Sequence, residues 1–154
     1  MALRVTKSYR QLNKGELSKV FPLLCPVREK DWIDGWEYEM IHSKSGLAEY
    51  GCVFTTPTPN GNVTTWYVTG YSRENYTIEF VRVTPAEMAV KINIQLLDAG
   101  KNQTISDITY EYTALGEKGS EWIRNSVDTA FVQTMEYWEK AINHYLVTGQ
   151  KLLK

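Results

Sequence analysis

The chain has 154 residues, of which 43% are hydrophobic and 23% are charged, and its formal net charge is −1. This length suits a single domain over residues 1–154 that can bury a sizeable core. The near-neutral charge supplies no basic field for nucleic acid or anionic lipid, so neither is an expected partner.

The N-terminal segment and the two cysteines indicate in which cellular compartment the protein is expected. "MALRVTKSYRQLNKG" contains no apolar run of signal-peptide length, and no later apolar run is long enough to cross a bilayer. Cys25 and Cys52 form no CxxC pair and no disulfide framework, so we interpret them as free buried thiols. These features predict a cytoplasmic protein without membrane insertion.

The first part of the chain predicts a strand followed by two short helices. The strand covers residues 3–11, "LRVTKSYRQ". Asn13 is the predicted N-cap of a helix whose apolar residues recur at helical spacing, and Pro22 ends or bends that helix. Pro26 begins a second helix, which the Asp34–Gly35 pair ends.

Six further strands are predicted in chain order, separated by turn-forming residues. Their segments are "WEYEMIHSKSG", "YGCVFTT", "VTTWYVTGYS", "YTIEFVRVT", "MAVKINIQLL" and "TISDITYEYTAL". Several of them alternate apolar and polar residues, which is typical of strands with one buried and one wet face. Because short turns join them, consecutive strands are expected to pair antiparallel.

The apolar period changes from two to 3.6 residues near Glu117. This change predicts one long C-terminal helix over about 117–147, with Gly149 as its stop. The apolar face of the sheet needs a cover, and this helix supplies it. Its apolar stripe consists of Ile123, Val127, Phe131, Met135, Trp138, Ile142 and Tyr145.

The order of these elements resembles the SRPBCC superfamily, also called START-like or helix-grip proteins. The resemblance covers nearly the whole chain and rests on "TTWYVTGYS", "YTIEFVRVTP", "ITYEYTALGEKG" and "FVQTMEYWEKAINHYLVTG". The superfamily includes birch-pollen-allergen-like plant proteins, polyketide cyclases, lipid-transfer START domains and chaperone activators. The resemblance implies an α+β helix-grip fold, in which a curved antiparallel sheet of about seven strands surrounds the long C-terminal helix.

The resemblance also implies a cavity between sheet and helix, where many members bind a hydrophobic or amphipathic small molecule, including lipids. Alternate strand positions and the helix stripe supply candidate ligand-binding residues. The other interpretation, that these side chains fill a solid core, stays open at this point. The candidates are Trp36, Tyr38, Met40, Phe54, Trp66, Val68, Phe80, Ile92, Ile94, Tyr110, Tyr112, Phe131, Met135 and Trp138.

An alternative function is that of a polyketide cyclase- or dehydratase-like enzyme that uses general acid–base residues in the same cavity. No motif assigns catalytic residues, and the candidates are His42, Arg82 and Tyr110. His42 alternates with Tyr38 and Met40 and is expected on their face. An imidazole there has the intrinsic pKa of a general base.

Arg82 has two possible orientations, because both faces of "YTIEFVRVT" carry apolar residues. If Ile78 and Phe80 point inward, Arg82 is a buried cation that needs a carboxylate or an anionic ligand. If Val81 and Val83 point inward, it is an ordinary surface arginine. The alternation alone does not choose between these arrangements.

A second alternative is a protein-interaction domain of the chaperone-activator type, which predicts a contiguous exposed patch in place of a pocket. No cofactor is expected, and no metal is expected because no pair among the two His and two Cys residues has ligand spacing. A monomer and a homodimer are both compatible with the pattern, since an exposed sheet edge could pair across a dimer.

Overall fold

The computed structural model describes residues 2–154, and its main feature is one antiparallel sheet of seven strands. The strands lie in the order β1-β7-β6-β5-β4-β3-β2, so that β1 returns to pair with the last strand. Their bounds are β1 Arg4–Asn13, β2 Glu39–His42, β3 Val53–Pro57, β4 Val63–Ser72, β5 Thr77–Thr84, β6 Met88–Gly100 and β7 Gln103–Ala114.

Four α-helices and one short 3₁₀ helix accompany the sheet. Two short helices follow β1 and two form the C-terminal part, which confirms the predicted α+β order of elements. Their bounds are α1 Leu17–Val20, the 3₁₀ helix Phe21–Leu24, α2 Pro26–Trp32, α3 Glu117–Asn125 and α4 Val127–Thr148. Within residues 2–154, no helix is both long enough and apolar enough to cross a membrane.

The alternation of side chains along the strands decides which face of the sheet is buried. In β7 every second residue from Thr104 to Ala114 is buried, and the residues between them are half-buried. The same face of β6 carries Val90, Ile92 and Ile94, all at most 3% exposed. This period of two fixes the register, because a slip by one residue would turn the apolar set toward water.

Helix α4 covers the buried face of the sheet and is fastened to β1 by hydrogen bonds. The side chain of Asn143 accepts from the Lys14 backbone N–H at 2.8 Å and donates to the Leu12 carbonyl at 3.0 Å. The buried amide of Gln11 donates to the Met135 carbonyl at 3.1 Å. These bonds fix the position of the helix over the sheet.

The predicted single C-terminal helix is wrong in one respect, because the structure divides it at Ser126. Helix α3 ends at Asn125, and Ser126 has φ −132° and ψ −22°, outside the helical region. Asn and Ser both have low helix propensity, so a break here costs little. Helix α3 then packs on β7 with its own buried residue, Ile123.

Two predictions for the N-terminal half also need correction. Asn13 does not cap a helix; it ends β1, is completely buried and accepts a hydrogen bond from Ser106 at 2.6 Å. Helix α1 begins later, at Leu17, and gives way to the 3₁₀ helix next to Pro22. The strand predicted over residues 36–46 is shorter, because only Glu39–His42 pairs with β3.

Candidate functional site

Four residues on four adjacent strands form one row across the buried face of the sheet. Arg82 of β5 pairs with Trp66 of β4 and with Val90 of β6, and Val90 pairs with Tyr112 of β7. Directly opposed residues of paired strands have Cβ atoms about 4.5–5.5 Å apart, so their side chains meet. Arg82 therefore points inward, while Val83 is 37% exposed on the other face.

A cavity of about 210 Å³, here called the inner cavity, lies between this row and α4. Aromatic side chains form most of its wall, and the ring centroids of Tyr110 and Phe131 lie 5.3 Å apart across the space between sheet and helix. The lining residues are Trp36, Trp66, Arg82, Tyr110, Tyr112, Trp122, Ala130, Phe131, Thr134, Met135 and Trp138.

A larger cleft of about 630 Å³, here called the outer cleft, adjoins the inner cavity. Arg82, Tyr112 and Trp122 line both spaces. The outer cleft lies between α3 and the β3–β4 and β5–β6 turns, and its wall is more polar. Its other lining residues are Thr58, Pro59, Asn60, Thr64, Thr84, Glu87, Met88, Lys118, Gly119, Glu121, Asn125 and Ser126.

Arg82 lies at the junction of the two spaces and forms no ion pair with any residue of the described range 2–154. Its guanidinium carbon lies 5.4 Å from the Trp66 ring centroid, a cation–π distance. Its Nε atom is buried and has no hydrogen-bond partner within residues 2–154. Such a group is costly unless something else supplies an acceptor.

Two phenols beside Arg82 remain neutral donors at physiological pH. Burial raises the pKa of Tyr110 well above its ordinary value and that of Tyr112 to about 12. The positive charge of Arg82 acts in the opposite direction on both pKa values but is the smaller effect. The site therefore offers a permanent cation together with two hydroxyl groups.

Glu29 is a buried carboxyl group near this site that the sequence did not indicate. It lies on the inward side of α2 and is only 8% exposed. Burial raises its pKa to about 8, so it is protonated at neutral pH. In its ionised form it would contribute to the raised pKa of Tyr110, which places the two groups within electrostatic reach of each other.

The structure separates the candidate ligand-binding residues into two halves. Trp36, Trp66, Tyr110, Tyr112, Phe131, Met135 and Trp138 line the inner cavity. The other half packs in or against the core without lining it, and the stacked rings of Phe54 and Trp66, 5.3 Å apart, illustrate this packing. That second half consists of Tyr38, Met40, Phe54, Val68, Phe80, Ile92 and Ile94.

Among the candidate catalytic residues, Arg82 and Tyr110 line the inner cavity and His42 does not. The expectation that His42 shares a face with Met40 is wrong, because a register irregularity separates the two. His42 pairs with Val53, whose other partner, Tyr67, is 46% exposed on the outer face. His42 is accordingly exposed and outside the site.

Three further lining residues lie on the C-terminal helices and were not predicted. Trp122, Ala130 and Thr134 line the inner cavity together with Trp138. On α4, Ala130, Thr134 and Trp138 are spaced four residues apart and form a row that meets the predicted stripe at Trp138, whereas Trp122 lies on α3. The signal was present in the spacing, but Ala and Thr are too small or too polar to mark a buried stripe.

The comparisons with known proteins agree with this architecture. No protein-family model and no curated protein matches the sequence, but solved structures do match the fold. Norcoclaurine synthase from Thalictrum flavum aligns with a TM-score of 0.70 at 10% identity, over 96% of this chain and 88% of that chain.

Two other solved structures match over similar lengths. Ara h 8.0201 has a TM-score of 0.70 at 14% identity, over 95% of this chain and 99% of its own. Major latex-like protein 151 from Panax ginseng has a TM-score of 0.67 at 12% identity, over 93% of this chain and 97% of its own. At these identities the similarity establishes the fold. The chain therefore has the helix-grip fold, which confirms the fold predicted from its sequence.

Proposed function

We propose that this protein binds a hydrophobic or amphipathic small molecule between its sheet and α4. The observation that carries this proposal is the inner cavity, whose wall is largely aromatic and contains a few polar groups, Arg82, Tyr110 and Tyr112. Small-molecule sites have this composition, with apolar walls for affinity and a few polar groups for orientation. A protein interior that served only as a core would be closely packed with few voids.

Size and access also support the proposal. The inner cavity alone, about 210 Å³, is below the roughly 300 Å³ at which small-molecule pockets usually begin. The adjoining outer cleft of about 630 Å³ provides the remaining space and an entrance beside Arg82. A structural neighbour, norcoclaurine synthase from Thalictrum flavum, is described in complex with dopamine and hydroxybenzaldehyde, so this fold accommodates aromatic small molecules in that protein.

We place this binding activity in the cytoplasm. Cys25 and Cys52 are both free and buried, which suits a reducing compartment. Burial raises the pKa of Cys52 to about 11, so its thiol is a poor nucleophile at neutral pH. We assign the two cysteines to packing and not to the binding chemistry.

Native mass spectrometry of the freshly purified protein tests the proposal. We expect a reproducible small-molecule adduct that disappears on denaturation, or a thermal shift with members of a panel of lipids, flavonoids and polyketide-like acids. Ala130→Trp places an indole in the inner cavity and should abolish both signals. Thr129→Trp adds the same indole at the exposed neighbouring position and should leave them unchanged. A bare wild-type protein that responds to no compound would overturn the proposal.

A second candidate function is acid–base catalysis in the same cavity, as in a cyclase or dehydratase. The observation that favours it is that Arg82 and Tyr110, two of the predicted catalytic candidates, line the inner cavity. Glu29 is not a lining residue of that cavity, but it is a buried acid with a pKa of about 8, and an acid that titrates near the working pH is suited to proton transfer. Arg82 and Tyr110 would polarise and orient the substrate. If a bound compound is converted, Glu29→Gln should abolish turnover and leave the affinity within about twofold. Unchanged turnover in that variant would exclude this role for Glu29.

A further inference from the structure

We propose that the ligand of the inner cavity is an organic anion, whose carboxylate or similar acid group pairs with Arg82 and whose aromatic body lies under α4. This inference rests on the proposed function, because it names the class of molecule that the same site selects.

The first argument is that Arg82 differs from the other cations around the cleft and on the sheet. Lys118, the other cation of the outer cleft, pairs with Glu87 at 2.8 Å. Arg10 on β1 pairs with Asp107 at 2.7 Å. Arg82 has neither a carboxylate partner nor an acceptor for its buried Nε within residues 2–154. An anionic ligand would supply the missing acceptors.

The second argument is that the guanidinium group is held in place before a ligand arrives. It lies over the Trp66 ring, and that ring is fixed by its own contacts. The Trp66 Nε1 atom donates to the Thr56 hydroxyl at 3.0 Å, and the Phe54 ring stacks on the indole at 5.3 Å. A fixed, planar fork of donors matches the geometry of a carboxylate, and its preorganisation reduces the entropy lost on binding.

The third argument concerns the acidic groups that could repel an anion. Glu87 in the outer cleft accepts from Lys118 and from Asn60, which compensate its charge. Glu121 is exposed on the rim, where solvent screens it. Glu29 is kept neutral by burial up to about pH 8. The charge that an entering anion meets at the junction is therefore the positive charge of Arg82.

The position of Arg82 also orients the ligand. The inner cavity beyond it is walled mainly by aromatic and apolar residues such as Trp36, Phe131 and Trp138, whereas the outer cleft adds threonine, asparagine and charged residues to its apolar ones. The apolar ring thus lies inward, and the acid group stays at the junction within reach of water. A neutral molecule of the same shape would leave Arg82 unpaired, which supplies selectivity against it.

The experiment compares 2-naphthoate with 2-naphthamide, a neutral molecule of nearly the same shape, by isothermal titration calorimetry at pH 7. Because charge-assisted hydrogen bonds are roughly twice as strong as neutral ones, we expect wild type to bind the acid about tenfold or more tightly than the amide. In Arg82→Met this preference should disappear while amide binding stays within about twofold. Arg10→Met removes an exposed arginine from the outer face and should keep the preference.

The outcomes separate this inference from the proposed function. Equal affinity of wild type for the two compounds would overturn the anion class and leave cavity binding intact. A preference that survives in Arg82→Met would overturn the role of Arg82. Binding of neither compound would contradict the inference and count against the cavity proposal as well. If Arg82→Met does not fold, the same titrations are made with Arg82→Lys. This variant keeps the positive charge but loses the planar guanidinium group, so its preference for the acid over the amide should be smaller than that of wild type.

Discussion

The guanidinium group of Arg82 and the indole ring of Trp66 lie against each other across β4 and β5, with 5.4 Å between the guanidinium carbon and the ring centroid. Trp66 thereby shields one face of a cation whose Nε has no acceptor within residues 2–154. The arrangement holds a charged donor group at the cavity wall, and a buried N–H without an acceptor is energetically costly.

Arg82→Met should leave the ligand-free protein as stable as wild type or stabilise it by about 1 kcal/mol. The variant removes a buried N–H without an acceptor and keeps an unbranched apolar side chain in place of the arginine stem. Urea unfolding of the ligand-free proteins measures this difference. Arg10→Met, which breaks an exposed pair with Asp107, should cost at most about 1 kcal/mol. A loss well above that for Arg82→Met would assign a structural role to Arg82.

Trp66→Leu should destabilise the protein by about 3 kcal/mol. The indole packs against Phe54 and Phe80, with ring centroids 5.3 Å and 5.8 Å away, and its N–H bonds to Thr56. Chemical denaturation gives the free energy of unfolding. Tyr67→Leu changes the neighbouring residue on the outer face, 46% exposed, and should alter that energy by no more than about 0.5 kcal/mol. If both variants lost a similar amount of unfolding free energy, the packing described for Trp66 would be contradicted.

Glu29→Gln should flatten the dependence of stability on pH. The unfolded chain releases the Glu29 proton near pH 4.3, whereas the folded protein retains it up to about pH 8. The contribution of Glu29 to stability is therefore fully present below about pH 4.3 and is lost as the pH rises toward 8, at a rate of at most about 1.4 kcal/mol per unit.

Urea unfolding at pH 5.5 and pH 7.5 tests this prediction. The difference in free energy of unfolding between the two pH values should be smaller in Glu29→Gln than in wild type. Glu74→Gln, at an exposed position in the β4–β5 turn, should keep the wild-type difference. If Glu29→Gln also keeps it, Glu29 ionises in the folded protein at the same pH as in the unfolded chain.

Gly119→Ala should destabilise the protein by about 1–3 kcal/mol, although alanine is the better helix former by about 1 kcal/mol. Gly119 lies in α3, where an added Cβ would overlap the carbonyl oxygen of Glu87. Helix α3 would have to move away from the β5–β6 turn, which widens the outer cleft. Thermal unfolding measures the loss, and Ser120→Ala on the same helix should change stability little. A stabilised Gly119→Ala would show that helix and turn are not in close contact.

The sequence predicted most of the fold because side-chain periodicity is a local property. β4 was predicted at its observed bounds, Val63–Ser72, and β6 and β7 within three residues of theirs. The stripe from Ile123 to Tyr145 identified the face that covers the sheet, since its residues are buried or half-buried in the structure. The break at Ser126 was missed because the stripe continues across it without a change of spacing.

The arrangement of the candidate site could not be predicted from side-chain periodicity along the sequence. The alternation in β5 allowed either orientation of Arg82, and only the pairing with Trp66 and Val90 turned it inward. The irregularity after Met40 turned His42 outward against its own alternation. No sequence pattern singled out Glu29, which is buried only because α2 packs it into the interior.

The sequence by itself thus determined the order of the elements and the apolar face of most of them, because these follow from spacing along one segment. The tertiary structure decided which aromatic side chains fill the core and which surround a cavity. It also decided that Arg82 has no counterion among residues 2–154. Both depend on the distance between side chains of different elements, which is set only when strand register and helix position are fixed together.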